Sequence, residues 1–258
     1  MAAEWDSGQY LKFEKERTQP AVDLARKIQV KAPKKIVDIG CGPGNSTAVL
    51  REQFPDSYLL GVDNSPQMVA SAKEKYPDLD FSICDISQDL CEMDTDFDIV
   101  FSNACIQWVP DHPKVIKSLM GLLKKGGVLA IQIPVTFDEP IHQSLAEIST
   151  NEKWGSSFHN PRNFYTLQEG EYYDVLSSLT PDFSIWKTIY FHKMQSHQGM
   201  IEWYRGTGLR PYLSALPDDK KADFEKDIYE ELVRKYPVQE NGEIIFRFPR
   251  LFFTAVKM

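Results

Sequence analysis

"DIGCGPGNS" spans Asp38–Ser46 and follows directly on the apolar run in "KKIVDIG" (Lys34–Gly40). A short β-branched run closed by glycines reads as a strand that turns sharply into a helix and leaves its backbone open to a ligand. Glycines at 40, 42 and 44 give the pattern GxGxG. The dinucleotide fingerprint GxGxxG needs a glycine at position 45, where Asn45 stands. A phosphate loop needs a Gly-Lys-Ser/Thr ending, and no lysine sits in the turn. The spacing is therefore not that of a pyrophosphate site. It suits a ligand that lays an uncharged or zwitterionic part across the turn, near a helix N-terminus.

Outward from this turn, strand-like and helix-like text alternates. "NSTAVLREQF" has helical spacing, and "SYLLGVD" (Ser57–Asp63) reads as a second strand. "SPQMVASAKEKY" opens with Ser65 as N-cap and Pro66 at the first helical position. "LDFSICDI" (Leu79–Ile86) and "FDIVFSNA" (Phe97–Ala104) predict strands three and four. "HPKVIKSLMGLLKKGG" predicts an amphipathic helix ending in paired glycines, before a fifth strand "GVLAIQIP" (Gly127–Pro134). Alternating units with continuous apolar strands imply a parallel sheet covered on both faces. After Pro134 the rhythm breaks: 135–172 is weakly periodic, "YYDVLSSL" is helix-like, "FSIWKTIYFHKM" strand-like, and 197–236 helical. "EIIFRFPRLFFTAVKM" predicts a last strand interrupted at Pro249. The expected layout is a single domain with its core at about 30–134, 173–195 and 243–258. Cap inserts are expected at about 135–172 and 196–240, with an N-terminal lid over about 1–20.

Bulk numbers fit an ordinary globular protein. Of 258 residues, 42% are hydrophobic and 26% charged, which argues against wholesale disorder. The net charge of -8 disfavours nucleic-acid backbones and anionic membranes as partners. The opening "MAAEWDSGQY" is polar and no run approaches a bilayer span, so a cytoplasmic location is expected. Cys41, Cys84, Cys91 and Cys105 show no CxxC pairing and read as free thiols of a reducing compartment. His112, His142, His159, His192 and His197 lack ligand spacing, so no metal site is expected.

"VDIGCGPGNST" resembles motif I of the class I S-adenosylmethionine-dependent methyltransferases, and three further pieces follow in that family's order. These are Asp63 in "GVDNSP", Asp85 in "CDI", and "SNACIQW" at the motif IV position. The resemblance implies a doubly wound, Rossmann-like α/β sheet of seven strands, the last antiparallel, with a helical cap from the C-terminal inserts. It also implies S-adenosyl-L-methionine as cofactor. On that basis the glycine loop (Gly40, Cys41, Gly42, with Asp38 before and Asn45 after) passes the methionine moiety. Asp63 grips both ribose hydroxyls, as an ionised acceptor can, with Asn64 and Met68 beside it. Asp85 faces the adenine amino group and Ile86 lies on its ring, while Asn103 and Ala104 close the motif IV side and Trp108 walls the transfer site.

Ser102–Cys105 lacks the Asn/Asp-Pro-Pro-Tyr/Phe run that amine-methylating relatives carry, which points to a small-molecule oxygen or carbon acceptor. "EWDSGQYLKFEKERTQPAVDL", "QWVPDH", "HKMQSHQGMIEWYRGTGLRPYL" and "YPVQENGEIIFRFPRLFF" are similar to the trans-aconitate methyltransferases nearly end to end. That resemblance implies a monomethyl ester formed on trans-aconitate or a related polycarboxylate. A carboxylate with a pKa near ~4 is already an anionic nucleophile at neutral pH, so no general base is expected. The substrate candidates are the cations Arg17, Arg210, His197 and Arg247, with Arg205 nearby, then Gln107, and Tyr10 and Phe13 as lid residues. "GLRP" places Arg210 at a turn. The expected assembly is a monomer or weak homodimer. Two other readings stay open: the same fold acting on another acid or a hydroxyl, or a catalytically silent S-adenosylmethionine-binding module.

Overall fold

The computed structural model describes residues 14–88, 90, 93–158 and 164–258. The chain divides into two compact units. The larger comprises Glu14–Pro134, Phe164–Thr188 and Arg250–Met258; in the smaller, the described residues are 135–158 and 189–249. The division groups the N-terminal helix α1 (Glu14–Ala25) with the larger unit, where the sequence suggested a lid reaching to about residue 20.

In the larger unit, strands β1 (Lys35–Ile39), β2 (Tyr58–Asp63), β3 (Asp80–Ile83), β4 (Phe97–Asn103) and β5 (Leu123–Pro134) run parallel. With β6 (Phe183–Met194) and β7 (Ile244–Val256) they form one seven-stranded sheet in the order β3-β2-β1-β4-β5-β7-β6. β7 is antiparallel to β5, with Pro134 opposite Arg250 and Gln132 opposite Phe252. Helices α2 (Asn45–Gln53), α3 (Pro66–Lys75), α4 (His112–Leu122) and α6 (Glu169–Leu179) connect and cover the strands. The strand order reverses between β1 and β4, where such sheets hold ligands at the strands' carboxyl ends.

Local chemistry explains most boundaries. The Ser65 hydroxyl accepts from Met68 N, 3.4 Å away, and starts α3 with Pro66 in its first turn. Helix α4 stops at Leu122, short of the expected paired glycines, because Leu123 is extended and already pairs with Phe97. A register shift between Phe97 and Ile99 absorbs the added residues, and Lys124 pairs there with the Asp98 carboxylate. β7 is not interrupted at Pro249: proline has no N–H to give, but its carbonyl accepts from Val135 N at 3.1 Å.

The smaller unit has its own apolar core. Helix α5 (Pro140–Thr150), within the weakly periodic 135–172, contributes Ile141, Leu145 and Ile148 at helical spacing. Helix α7 (His197–Arg205) adds Met200, Ile201, Trp203 and Tyr204; the long α9 (Asp218–Lys235) adds Phe224, Ile228 and Leu232. The short α8 (Arg210–Ala215) lies between them in sequence. No described helix is long and apolar enough to cross a membrane.

Candidate functional site

The turn after β1 is built from left-handed glycines. Gly40, Gly42 and Gly44 have φ of 72°, 54° and 89°, a region that costs an L side chain energy. Two of the three also carry steric reasons. A Cβ at Gly40 would collide with Cys105 of the loop after β4, and one at Gly44 would come within 2.8 Å of Tyr76. Gly42 is different: a Cβ there would meet no described atom within 4 Å. Among the described residues, the loop thus leaves open space above Gly42.

Two carboxylates set this loop. Asp38 is fully buried; its Oδ2 accepts from Ser46 Oγ (2.6 Å) and Thr47 Oγ1 (2.7 Å), while its Oδ1 has no partner among the described residues. Burial raises its pKa to about 6, against the lowering pull of the two hydroxyls. Asp63, ending β2, accepts from Gly42 N (3.0 Å) on one oxygen and Ser65 N (2.9 Å) on the other. Desolvation raises its pKa too, with both N–H bonds opposing. Each oxygen keeps a second lone pair, which is what a ribose diol needs. Asn64 beside it is exposed and Met68 is buried at the start of α3.

β3 ends at Ile83, so Asp85 sits in the following turn, not on the strand. It is partly exposed and accepts from Ser87 N (2.9 Å), Ser87 Oγ (2.7 Å) and Gln88 Nε2 (3.2 Å); Ile86 next to it is buried. Asn45, the first residue of α2, receives Lys75 Nζ (3.0 Å) and Tyr76 OH (3.5 Å) on its Oδ1, so that oxygen is tied to α3's end.

The loop after β4 is tied on several sides. Ser102 Oγ donates to Ile39 O (3.0 Å), Ala104 N to Gln132 O (2.9 Å), and Gln107 Nε2 to Ala104 O (2.8 Å). Ala104 itself has φ of 55°, a left-handed alanine whose strain this web over-determines. Below it, buried His112 donates from Nε2 to Ile106 O (2.8 Å) and accepts the Tyr172 hydroxyl on Nδ1 (2.5 Å). Desolvation lowers the His112 pKa and keeps the ring neutral for that double role. The Trp108 and Phe164 rings lie 4.6 Å apart. Asn103 Oδ1, Gln107 Oε1 and both amide atoms of Gln132 have no partner among the described residues. Buried polar atoms are normally paired, so a row of them at the ends of β1, β4 and β5 marks a place where a ligand completes the bonding. A nucleoside with a cationic amino-acid end fits this donor set and the open space over Gly42.

The substrate candidates divide between the units. Buried Arg17 on α1 and buried Gln107 belong to the larger unit. His197, Arg210 and Arg247 belong to the smaller one. His197 gives its Nε2 hydrogen to Tyr236 O (2.8 Å). Arg210 is the first residue of α8, partly buried, and not on a turn. Arg247 is half exposed, 3.8 Å from Glu139. Arg205 is spoken for by a bidentate pair with Glu225, at 2.5 and 2.6 Å. Tyr10 and Phe13 lie outside the described residues, as does His159. The sequence reading passed over Gln132, although a lone polar residue inside "GVLAIQIP" was a signal, and over buried Arg250. Among the described residues no group of His, Cys, Asp or Glu could hold a metal ion.

Comparison with known proteins agrees with this geometry. Residues 31–180 match a family model described as a methyltransferase domain. A trans-aconitate 2-methyltransferase of Enterobacter sp. (strain 638) is 40% identical over 98% of this chain and 98% of its own length. Among solved structures, the YcgJ protein of Bacillus subtilis superposes with a TM-score of 0.63 at 17% identity, over 93% of this chain and 98% of that one. A Haemonchus contortus phosphoethanolamine N-methyltransferase 2 in complex with S-adenosyl-L-methionine gives 0.54 at 19% identity, over 94% of this chain and 52% of that one. These two likenesses are likenesses of fold.

Proposed function

The chain belongs to the trans-aconitate 2-methyltransferase family, and we propose that it uses S-adenosyl-L-methionine to esterify one carboxylate of trans-aconitate or a related small polycarboxylate. The observation that carries the reading is the kinship over 98% of both chains, because motif I alone would serve any acceptor. The paired carboxylates and open glycine turn support the cofactor half. Asp63 takes the ribose hydroxyls on its spare lone pairs, Asp38 offers negative charge near the amino-acid end, and Ile86 and Met68 give apolar contact to the base. Asp85, Asn64, Asn103, Ala104, Cys41 and Trp108 complete the proposed contact set, and Asn45 holds the loop through Lys75.

The cofactor, when bound, supplies an electrophilic methyl group on a sulfonium. The acceptor would be a carboxylate oxygen, already ionised at neutral pH, so no residue of the protein needs to take a proton. The protein's own task is alignment, exclusion of water and neutralisation of the remaining carboxylates. Arginine forks suit that last task, and Arg17, Arg210 and Arg247 are the proposed cations, with Gln107 as a polar contact. The acidic balance and the free, buried Cys41 support a cytosolic catalyst, monomeric or weakly dimeric, with neither nucleic acid nor membrane as partner.

Incubation with trans-aconitate and methyl-labelled cofactor, read by mass spectrometry, is expected to give a labelled monomethyl ester. Turnover confined to monocarboxylic acids, or cofactor binding without any product across an acid panel, would overturn the reading. Arg210→Ala is expected to raise KM for the acid at least ~10-fold with cofactor affinity spared.

A further inference from the structure

Tyr172 is 0% exposed, and its ring lies 5.7 Å from that of Phe253 on β7. A phenylalanine would fill the same space, so what distinguishes the residue is its hydroxyl. The direction of that hydroxyl's bonds follows from one fixed point. Ile106 O can only accept, so His112 Nε2, 2.8 Å away, carries the ring's hydrogen. In the neutral ring Nδ1 is then a bare lone pair, and the Tyr172 hydroxyl, 2.5 Å from it, donates. The phenolic oxygen in turn accepts from Leu167 N at 3.3 Å. Burial keeps both side chains in the required state, lowering the His112 pKa and raising that of Tyr172.

Hydrogen bonds thus run in one direction, from Leu167 N through Tyr172 and His112 to Ile106 O. They join segments far apart in sequence, since His112 and Tyr172 are separated by 60 residues. One segment is the turn Ile106–Trp108 after β4, which carries Gln107 and Trp108. The other is the stretch 164–168 that leads into α6. The same two segments meet twice more. Tyr165 N donates to Gln107 O (2.9 Å), and the Phe164 ring lies 4.6 Å from that of Trp108. The first segment is a single 3-10 turn and the second has no helix or strand, so bonds between them, rather than a ladder within either, fix their geometry. Asp111, with φ of 58°, caps α4 through Lys114 N (3.3 Å), and His112 after it is 1% exposed.

We propose that Tyr172 is a positioning residue for methyl transfer: through His112 it fixes the Ile106–Trp108 turn against 164–168, so that Gln107 and Trp108 keep one orientation toward the reacting groups. The proposal rests on the acid-acceptor reading above, in which Gln107 contacts the acid and Trp108 belongs to the cofactor contact set. It adds a pair that acts only through the turn. A reaction that needs alignment and no proton movement is sensitive to such a pair, because a misplacement of about 1 Å costs on the order of 100-fold in rate.

The test compares wild type, Tyr172→Phe, His112→Gln and the double variant on trans-aconitate, well below each Tm. Saturating S-adenosyl-L-methionine removes any change in cofactor affinity from the comparison. Tyr172→Phe keeps the ring and loses the hydroxyl, while His112→Gln keeps a donor for Ile106 O and loses the ring acceptor. Either single variant is expected to lower kcat/KM for the acid about 10–100-fold per folded enzyme, with Tm down by a few degrees. The double variant is expected to lose no more than the worse single one, because one chain of bonds is cut only once. A lowered Tm with unchanged kcat/KM, or losses that multiply in the double variant, would mean a structural pair and overturn the proposal. Hydrogen exchange is the second readout: Tyr172→Phe is expected to speed exchange in the peptides spanning 104–109 and 164–168 together. Faster exchange in one of them alone also overturns it. If the wild type turns over no acid, the polycarboxylate reading fails, and the exchange result by itself decides whether Tyr172 anchors the turn.

Discussion

Substituting Gly42 by alanine separates what the glycine loop does for the fold from what it does for a ligand. The residue holds φ of 54°, where an L side chain costs about 1–2 kcal/mol. No described atom lies within 4 Å of the new methyl group, so no clash adds to that cost. The expected destabilisation is about 1 kcal/mol, or a fall in Tm of roughly 2–4 °C for a domain this size. Gly44→Ala is the control. It pays for φ of 89° and also pushes a methyl to 2.8 Å from Tyr76 Cδ2 and 3.1 Å from Phe81 Cζ. Overpacking of that kind brings the total to about 2–4 kcal/mol. Cofactor affinity should respond differently. If the ligand crosses the open space over Gly42, the same methyl group intrudes on it and costs roughly 1–3 kcal/mol, a loss of about 5–150-fold. Calorimetric titration with S-adenosylhomocysteine and thermal melts of both variants provide the two readouts. Unchanged affinity in Gly42→Ala, or destabilisation equal to that of Gly44→Ala, would refute the assignment of that space to the ligand.

Asp63→Ala strips the acceptors from Gly42 N and Ser65 N, and is expected to weaken S-adenosylhomocysteine binding by about 2–4 kcal/mol while lowering Tm only a few degrees, as calorimetry and melts would report. Asp38 has its pKa raised to about 6, so cofactor affinity should climb with pH through that value and level off above it. Asp38→Asn should bind weakly and flatly across the same range. His142 is buried with its pKa lowered to about 4, so the unfolded chain takes up a proton near pH 6.5 that the folded protein refuses. The stability it contributes is full above ~6.5 and lost as pH falls toward 4, about 3 kcal/mol in all, and a His142→Gln variant should melt with less acid sensitivity. Trp203→Ala, opening the core of the smaller unit, should cost about 3–5 kcal/mol in denaturant titration.

The core of the fold was legible because continuous apolar runs and glycine turns are local signals. β1, β2, β4 and β6 fall within a residue of the text that predicted them. Helix α5 escaped because its stripe, Ile141, Leu145 and Ile148, is thin and broken by polar residues, and what fixes it is packing against α9. The end of α4 was misplaced because Gly126 and Gly127 looked like a helix stop, while the register with β4 had already claimed Leu123. The site shows the same division. Asp38, Asp63 and the glycines announce themselves by order along the chain. Which cation lies buried depends on strand parity: Arg247 stands between Phe246 and Phe248 on the exposed side, whereas Arg250 falls inside the covered run of β7. Resemblance drew attention to the first, and only the register of β5 with β7 draws it to the second.

The absent side chain of Gly40 makes room for Cys105, so the turn following β1 and the turn following β4 interlock. The hydroxyl of Ser102 pins the same two strands. Neither turn can shift alone, so the proposed cofactor contacts on the first and the proposed acceptor side on the second would move as one mechanical unit. Any enlargement at position 40 or 105 would therefore displace both turns at once.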